Sequence, residues 1–318
     1  MHDLTRRNLF VGVAASAAAT VAPRAIMAAV PPTKSTGIFS YKVGDYEIVQ
    51  LRDGARTFPI PDTFVVNVSK DKAIEAAAAA YIPDGQVTIP FSPMIINTGS
   101  KLVAIDTGNG LAAFASSKGA VGQARSNMEA AGIDPKQIDI VLISHFHGDH
   151  IGGLKNADGS PAFANAEIKV PAIEAAFWAD DGNQSKANAF NKAQFANVKK
   201  MMEGLKVTPY EADKEVAPGV TSMFTPGHTP GHMSFVVASG SSRILVQSDV
   251  TNIPSFFLQH PDWHVMFDND PATAVATRHK IYDMAASEKM LLTGYHFPFP
   301  CVGHVEKDGS GYRLVPAV

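Results

Sequence analysis

The chain has 318 residues, 46% of them hydrophobic and 18% charged, with a formal net charge of -3. That length allows one large α/β domain or two small ones, and the lack of any long basic run argues against a nucleic-acid-binding protein, which needs cations to replace phosphate counterions. A single cysteine, Cys301, excludes an internal disulfide and a cysteine-ligated zinc cluster.

The first segment, Thr5-Arg6-Arg7-Asn8-Leu9-Phe10, runs into an alanine-rich apolar stretch that ends near Ala22. A twin arginine ahead of a short apolar run resembles a Tat export signal. Residues 1–30 are therefore expected to be a leader that carries the folded chain through the Tat export machinery to the periplasm. The run is too short and too weakly apolar for stable membrane insertion.

Apolar runs rich in β-branched residues predict strands at 47–51, 94–97, 102–105 and 138–143, then at 167–170, 220–224, 234–237, 244–246 and 290–292. Helices are predicted at 72–80, where alanine keeps the entropy cost low, and at 172–178, 185–203 and 271–287. Both halves run strands first and helix after. That order predicts two β-sheets packed face to face with helices outside, in one domain over residues 37–318.

The chemistry concentrates after the fourth of these strands. Ser144 closes it, and His145, His147, Asp149 and His150 follow within six residues. Imidazole and carboxylate suit Zn²⁺ and similar divalent ions. His145 and His147 are expected to alternate toward one side of an extended strand end, with Gly148 turning the chain so that Asp149 and His150 face a second ion. Three more donors sit just past apolar strands: His228 in Thr225-Pro226-Gly227-His228-Thr229-Pro230-Gly231-His232, Asp249, and His296 in Gly294-Tyr295-His296. Loops at strand ends are where a rigid scaffold presents reactive side chains. His2, His260, His264, His279 and His304 carry no such pattern and read as ordinary histidines.

His-x-His-x-Asp-His, a later Pro-Gly-His, a strand-end Asp and a final His resemble the metallo-β-lactamase superfamily, in order along residues 45–305. The resemblance implies an α/β fold, a four-layer αβ/βα sandwich with two divalent metal ions at one edge. It implies that His145, His147 and His228 hold one ion, that Asp149, His150 and His296 hold the other, and that Asp249 bridges them and orients the hydroxide they share. Two ions that share a water lower its pKa and make it the nucleophile. Asp106, in Ala104-Ile105-Asp106-Thr107-Gly108, resembles a strand-end Asp that supports the ligands from behind. Of the two histidines in the Pro-Gly-His run, His232 is expected to pack or hydrogen-bond rather than to ligate. Zn²⁺ is the default ion; Mn²⁺, Co²⁺ and Fe²⁺ accept the same donors. No Gly-x-Ser-x-Gly elbow supports a serine nucleophile.

Within the superfamily, the segment Gly294-Tyr295-His296-Phe297-Pro298-Phe299-Pro300, the following Gly303-His304-Val305 and the twin-arginine start resemble methyl parathion hydrolases and related exported lactonases or arylesterases. Acyl-homoserine lactonases place Tyr three residues after the bridging Asp, where this chain has Asn252. Aromatic residues Phe177, Trp178, Phe195, Phe256 and Phe297, with Phe257 and Trp263, are expected to line an apolar pocket. The substrate expected is a small neutral, apolar ester: a lactone, an aryl ester or a phosphotriester. An exported β-lactamase is the alternative that keeps the metals, and Asp249 argues against it. A non-catalytic metal-binding protein is the other, and a storage role does not need a bridging Asp. Related enzymes are often homodimers, with residues 39–51 or 57–68 as candidate interfaces.

Overall fold

A computed structural model describes residues 37–82, 85–187 and 189–317; the expected leader lies outside them. Strands β1 (Ile38–Val43) and β2 (Tyr46–Leu51) open the domain as a hairpin. β3 (Gly54–Pro59), helix α1 (Lys70–Ala79) and β4 (Gln86–Phe91) follow, with β3 and β4 paired as a separate two-stranded sheet. The first half continues through β5 (Met94–Asn97), β6 (Leu102–Ile105), α2 (Gly110–Ser116), α3 (Ala124–Ala130) and β7 (Ile140–Leu142). It closes with α4 (Gly148–Ile151), β8 (Glu167–Pro171), α5 (Ala172–Ala179), α6 (Asp181–Lys186), α7 (Ala189–Met202) and β9 (Val207–Tyr210). The second half carries β10 (Glu215–Ala217), β11 (Val220–Phe224), β12 (Met233–Ser239) and β13 (Ser242–Val246). A π-helical turn at Pro254–Leu258 leads to α8 (Pro271–Ser287), β14 (Leu291–Thr293), β15 (Val302–Asp308) and β16 (Gly311–Pro316).

Two seven-stranded sheets result, ordered β1-β2-β5-β6-β7-β8-β9 and β10-β11-β12-β13-β14-β15-β16. β6, β7, β8 and β9 run parallel to one another, as do β13 and β14, and the other paired neighbours run antiparallel. The central strands are apolar on both faces because both faces are covered. Met94, Ile96, Val103, Ile105 and Leu142 pack against Phe235, Val237, Ile244 and Val246 of the facing sheet. The alternate residues Ile95, Leu102, Ala104 and Val141 point the other way, onto Met128 of α3, Trp178 of α5 and Phe195 and Val198 of α7. Leu245 and Leu292 meet Ile281, Tyr282 and Ala285 of α8 behind the second sheet. The four layers are therefore helix, sheet, sheet, helix, the α/β sandwich expected. Each fully buried side chain of this size contributes roughly 1.5–3 kcal/mol.

The β3–β4 hairpin lies outside the sandwich and packs on α1 and the Pro254–Leu258 turn around Phe64, whose ring meets Phe256 and Phe257 at 5.7 and 5.8 Å. The helix expected over 185–203 is two helices. Asp180 caps α6 by accepting the Asn183 N–H, and Ala187 takes extended backbone that ends it. Among the described residues, no helix is long and apolar enough to cross a membrane.

Candidate metal centre

The seven donors come from loops that leave the C-terminal ends of strands in both sheets. β7 stops at Leu142, sooner than expected, so His145 and His147 do not alternate along a strand. His147 instead takes extended backbone as the N-cap residue of α4, and Asp149 and His150 lie in that helical turn. Gly148 has no left-handed φ, so it does not serve as a hinge; a Cβ there would meet Asn197 Nδ2 of α7 at 3.0 Å.

For His150, His228 and His296, Nδ1 is fixed from behind, which aims Nε2 at the cluster. Asp106, just past β6, sits at φ 58°, an uncommon left-handed backbone for a residue with a side chain. Its Oδ1 accepts the Ser144 N–H at 2.8 Å, and its Oδ2 accepts the Ser144 hydroxyl and pairs with His150 Nδ1, both also at 2.8 Å. Asp268 Oδ1 lies 2.9 Å from His228 Nδ1, and His296 Nδ1 donates to the Pro90 carbonyl of β4 at 2.8 Å. His232 has both ring nitrogens on protein partners. Its Nε2 accepts the Asp249 backbone N–H at 3.0 Å and its Nδ1 donates to the Thr225 carbonyl at 2.9 Å. Gln247 holds the same loop, accepting the Thr251 N–H and donating to the Ser248 and Thr251 carbonyls. Tyr295 stacks on His150 with ring centroids 3.9 Å apart and donates its hydroxyl to the Asp149 carbonyl at 2.6 Å.

The donor atoms converge in three overlapping groups, each within 4.8 Å: His145, His147 and His228; His145, His150 and Asp249; Asp149, His150 and His296. Asp249 reaches both outer groups, its Oδ2 lying 3.3 Å from His228 Nε2 and 2.9 Å from His296 Nε2, and its Oδ1 3.3 Å from His150 Nε2. Asp149 Oδ2 lies 3.5 Å from His150 Nε2 and 3.6 Å from His296 Nε2. His145 Nε2, His150 Nε2 and Asp249 Oδ1 are buried and make no hydrogen bond. Buried lone pairs without a donor are costly, and a cation is the partner that satisfies a nitrogen and a carboxylate together. The residues present therefore fit two metal ions, with Asp249 between them.

The electrostatics agree. Burial, then the neighbouring imidazoles, hold His145 and His147 well below the usual histidine range. Burial also works against a charged His150, yet Asp249, Asp106 and Asp149 raise it well above that range. His228 is pushed up to about 9, because Asp249 and Asp268 outweigh its burial. Burial would raise Asp149 and Asp249, but the imidazoles around them hold both below the usual carboxylate range. His232 is pushed down to about 3, by burial first and by His228 next, as a neutral positioning residue requires. Protons and divalent ions compete for the same lone pairs, so metal binding at His150 and His228 would release protons and depend on pH.

The centre forms the floor of a cleft of about 770 Å³. Phe58, Ile89 and Phe91 of the hairpin, Ala112 and Ala113 of α2, Met201 of α7 and Phe267 supply its apolar wall, and Arg56, Gln194, Asn197, Lys200 and Asn252 its polar one. The aromatics expected there do not line it. Phe177, Trp178 and Phe195 pack together between α5 and α7, the Trp178 and Phe195 rings 4.6 Å apart. Phe256, Phe257 and Trp263 belong to the core under the hairpin. Phe297 follows a predicted ligand, but the turn closed by its N–H to the Gly294 carbonyl buries its ring behind the second sheet. The hairpin wall, Asp268 and Tyr295 were not singled out from sequence. Their sequence signals are weak: Asp268 is one of two acids just before α8, and Tyr295 is a tyrosine beside a ligand-type histidine.

A fold of two facing sheets with this cluster at their strand ends defines a metal-dependent hydrolase scaffold. Residues 92–289 match the metallo-beta-lactamase superfamily, and the chain belongs to it. N-acyl homoserine lactonase AiiA of Bacillus thuringiensis subsp. kurstaki is 26% identical over 191 residues, 59% of this chain. The match spans 64% of that lactonase, less than two thirds of its length. The solved structure of hydrolase AbOPH, of the beta lactamase superfamily, superposes with a TM-score of 0.80 at 28% identity over 89% of this chain and 98% of that one. AidC, a dizinc quorum-quenching lactonase solved with a product, gives a TM-score of 0.79 at 24% identity over the same shares, which speaks to the fold.

Proposed function

We propose that this chain is a dinuclear metal hydrolase of small esters with apolar substituents, lactones among them. The observation that carries the reading is the buried seven-donor cluster at the floor of a half-apolar cleft. Metal ions bound there would activate a water and polarise the scissile carbonyl. The chain's own part is to hold the donors in register, through Asp106, Asp268 and the Pro90 carbonyl, and to keep Asp249 between the two groups. Phe58, Ile89, Phe91 and Phe267 would exclude water from the apolar arm of the ester. Asn252 lines the cleft with a buried Oδ1 that makes no hydrogen bond, and so is a polar anchor for a substrate donor.

Lactones are favoured by the lactonase relatives, although Asn252 stands where the resemblance would place a Tyr in acyl-homoserine lactonases. Zn²⁺ is the ion we propose, on the histidine-rich donor set. The test is a panel of p-nitrophenyl esters, lactones, phosphotriesters and nitrocefin, with metal content measured on the same sample. Turnover of esters or lactones with two equivalents of metal is expected. Two equivalents with no turnover of any substrate would leave a metal-binding protein, and preferential turnover of nitrocefin a β-lactamase. We also propose Tat export, on Arg6 and Arg7. Its support is that the donors come from both sheets, so the centre forms only in a folded chain. Arg6→Lys with Arg7→Lys should keep the protein in the cytoplasmic fraction; unchanged periplasmic yield would refute the leader.

A further inference from the structure

The outer donor group His145, His147 and His228 draws on two loops that are 81 residues apart between His147 and His228. One buried carboxylate ties these loops together. Glu174 lies in the first turn of α5 and is fully buried. Its Oε1 accepts the Phe146 backbone N–H at 3.1 Å and the Trp178 indole N–H at 2.7 Å. Its Oε2 accepts the Thr229 hydroxyl at 2.9 Å and the Gly231 backbone N–H at 2.8 Å. Phe146 separates His145 from His147, and Thr229 follows His228. Trp178 in turn meets the His147 ring edge-on at 6.2 Å. A Cβ on Gly231 would lie 2.3 Å from the Glu174 backbone nitrogen, so α5 and the His228 loop are in direct contact.

We infer that Glu174 is a positioning residue that sets the separation of the His145/His147 loop from the His228 loop, and so fixes one of the two metal sites without touching the ion. Three of its four donors are N–H groups that cannot accept, so only a carboxylate satisfies them all. A glutamine of the same shape must turn its NH₂ toward one side. Toward Phe146 and Trp178 it opposes two donors. Toward Thr229 and Gly231 it can donate to the hydroxyl but opposes the Gly231 N–H. The second orientation conflicts least, and it loosens the His228 loop. The group Asp149, His150 and His296 has its own supports in Asp106, Tyr295 and Pro90, none of which Glu174 contacts.

The inference rests on the two-metal reading, and the experiment separates the two. Wild type and Glu174→Gln are loaded with Zn²⁺, metal is counted, and its release to a chromogenic chelator is followed in time. The melting temperature of each metal-free protein is measured alongside. Wild type is expected to hold two equivalents; if it does not, the two-metal reading fails on its own. In Glu174→Gln, one equivalent is expected to leave about 10–100-fold faster, the usual cost of removing a partner of a metal-bound side chain. The second should leave at close to the wild-type rate. Thr229→Ala, which removes one hydrogen bond, should move the same equivalent by a smaller factor. Release of both equivalents at wild-type rates would overturn the inference. So would equal acceleration of both with a lowered metal-free melting temperature, since that is what a general structural role gives.

Discussion

The floor and the wall of the cleft are made in different ways. The floor side chains are buried or nearly so and sit just past strands, and His150, His228 and His296 are held by fixed partners behind them. The wall comes from a two-stranded hairpin outside the sandwich, two helices and a loop, and much of it is half-buried or exposed. The floor is therefore rigid and intolerant of change, while the wall can vary without disturbing it. If that division is right, floor substitutions should change metal content and activity together, and wall substitutions should change only substrate preference.

The largest effect is expected at the residue shared by both donor groups. Among the described residues, Asp249→Ala removes the only carboxylate that reaches all three of His150, His228 and His296. Metal affinity and activity should fall together, by more than the roughly 10–100-fold that loss of an outer partner costs. Activity that survives with full turnover would show that Asp249 does not join the sites. Asp106→Asn comes next. The amide keeps the size but presents an NH₂ to one of three donors, the Ser144 N–H, the Ser144 hydroxyl or His150 Nδ1. A loss of metal affinity of about 10–100-fold is expected, read by chelator titration; an unchanged titration would mean that His150 is oriented by something else.

The third prediction uses pH. In the metal-free protein His228 is raised from 6.5 to about 9. A raised histidine contributes stability that is full below pH 6.5 and is lost as the pH rises through 9. A metal ion must displace that proton, so its binding grows tighter over the same window. The gap in melting temperature between metal-loaded and chelator-treated protein should therefore widen from pH 6.5 to 9. A gap that stays constant or narrows would show that His228 is not in competition with a metal.

The same division explains what was legible in the sequence. Strands over Met94–Asn97, Leu102–Ile105 and Val220–Phe224 and the helix Pro271–Ser287 agree with their expected limits, because a core strand leaves a continuous apolar run and the Asp270 cap with Pro271 marks the start of the helix. The seven clustered side chains were legible because few residue types can hold a divalent ion. The strands GARTFP and QVTIPF each carry a proline, which argues against a strand, GARTFP alternates weakly, and β15 and β16 are half polar, so their pairing depends on partners distant in the chain. The wall was misread for a related reason. An aromatic residue near a ligand in sequence can face either way, and the turn at Gly294 sends Phe297 into the core while Phe58, over 200 residues earlier, faces the cleft.

Two phenylalanines sharpen that last point, with the smallest effects. Phe58 is half-buried at the cleft, and its ring lies 6.3 Å from Phe64 of the hairpin core. Phe256 is fully buried on the other side of Phe64, at 5.7 Å, and does not line the cleft. Phe58→Ala should weaken selection for aryl over methyl esters by about fivefold, the effect of about 1 kcal/mol of apolar contact, with metal content unchanged. Phe256→Leu should lower stability by about 1–2 kcal/mol, a few degrees in melting temperature, and leave the ratio of kcat/KM for the two esters as it was. The contrast lies in which readout moves. If Phe256→Leu shifts the ester ratio while Phe58→Ala does not, the substrate binds under the hairpin rather than in front of it, and the wall assigned to the cleft is the wrong one.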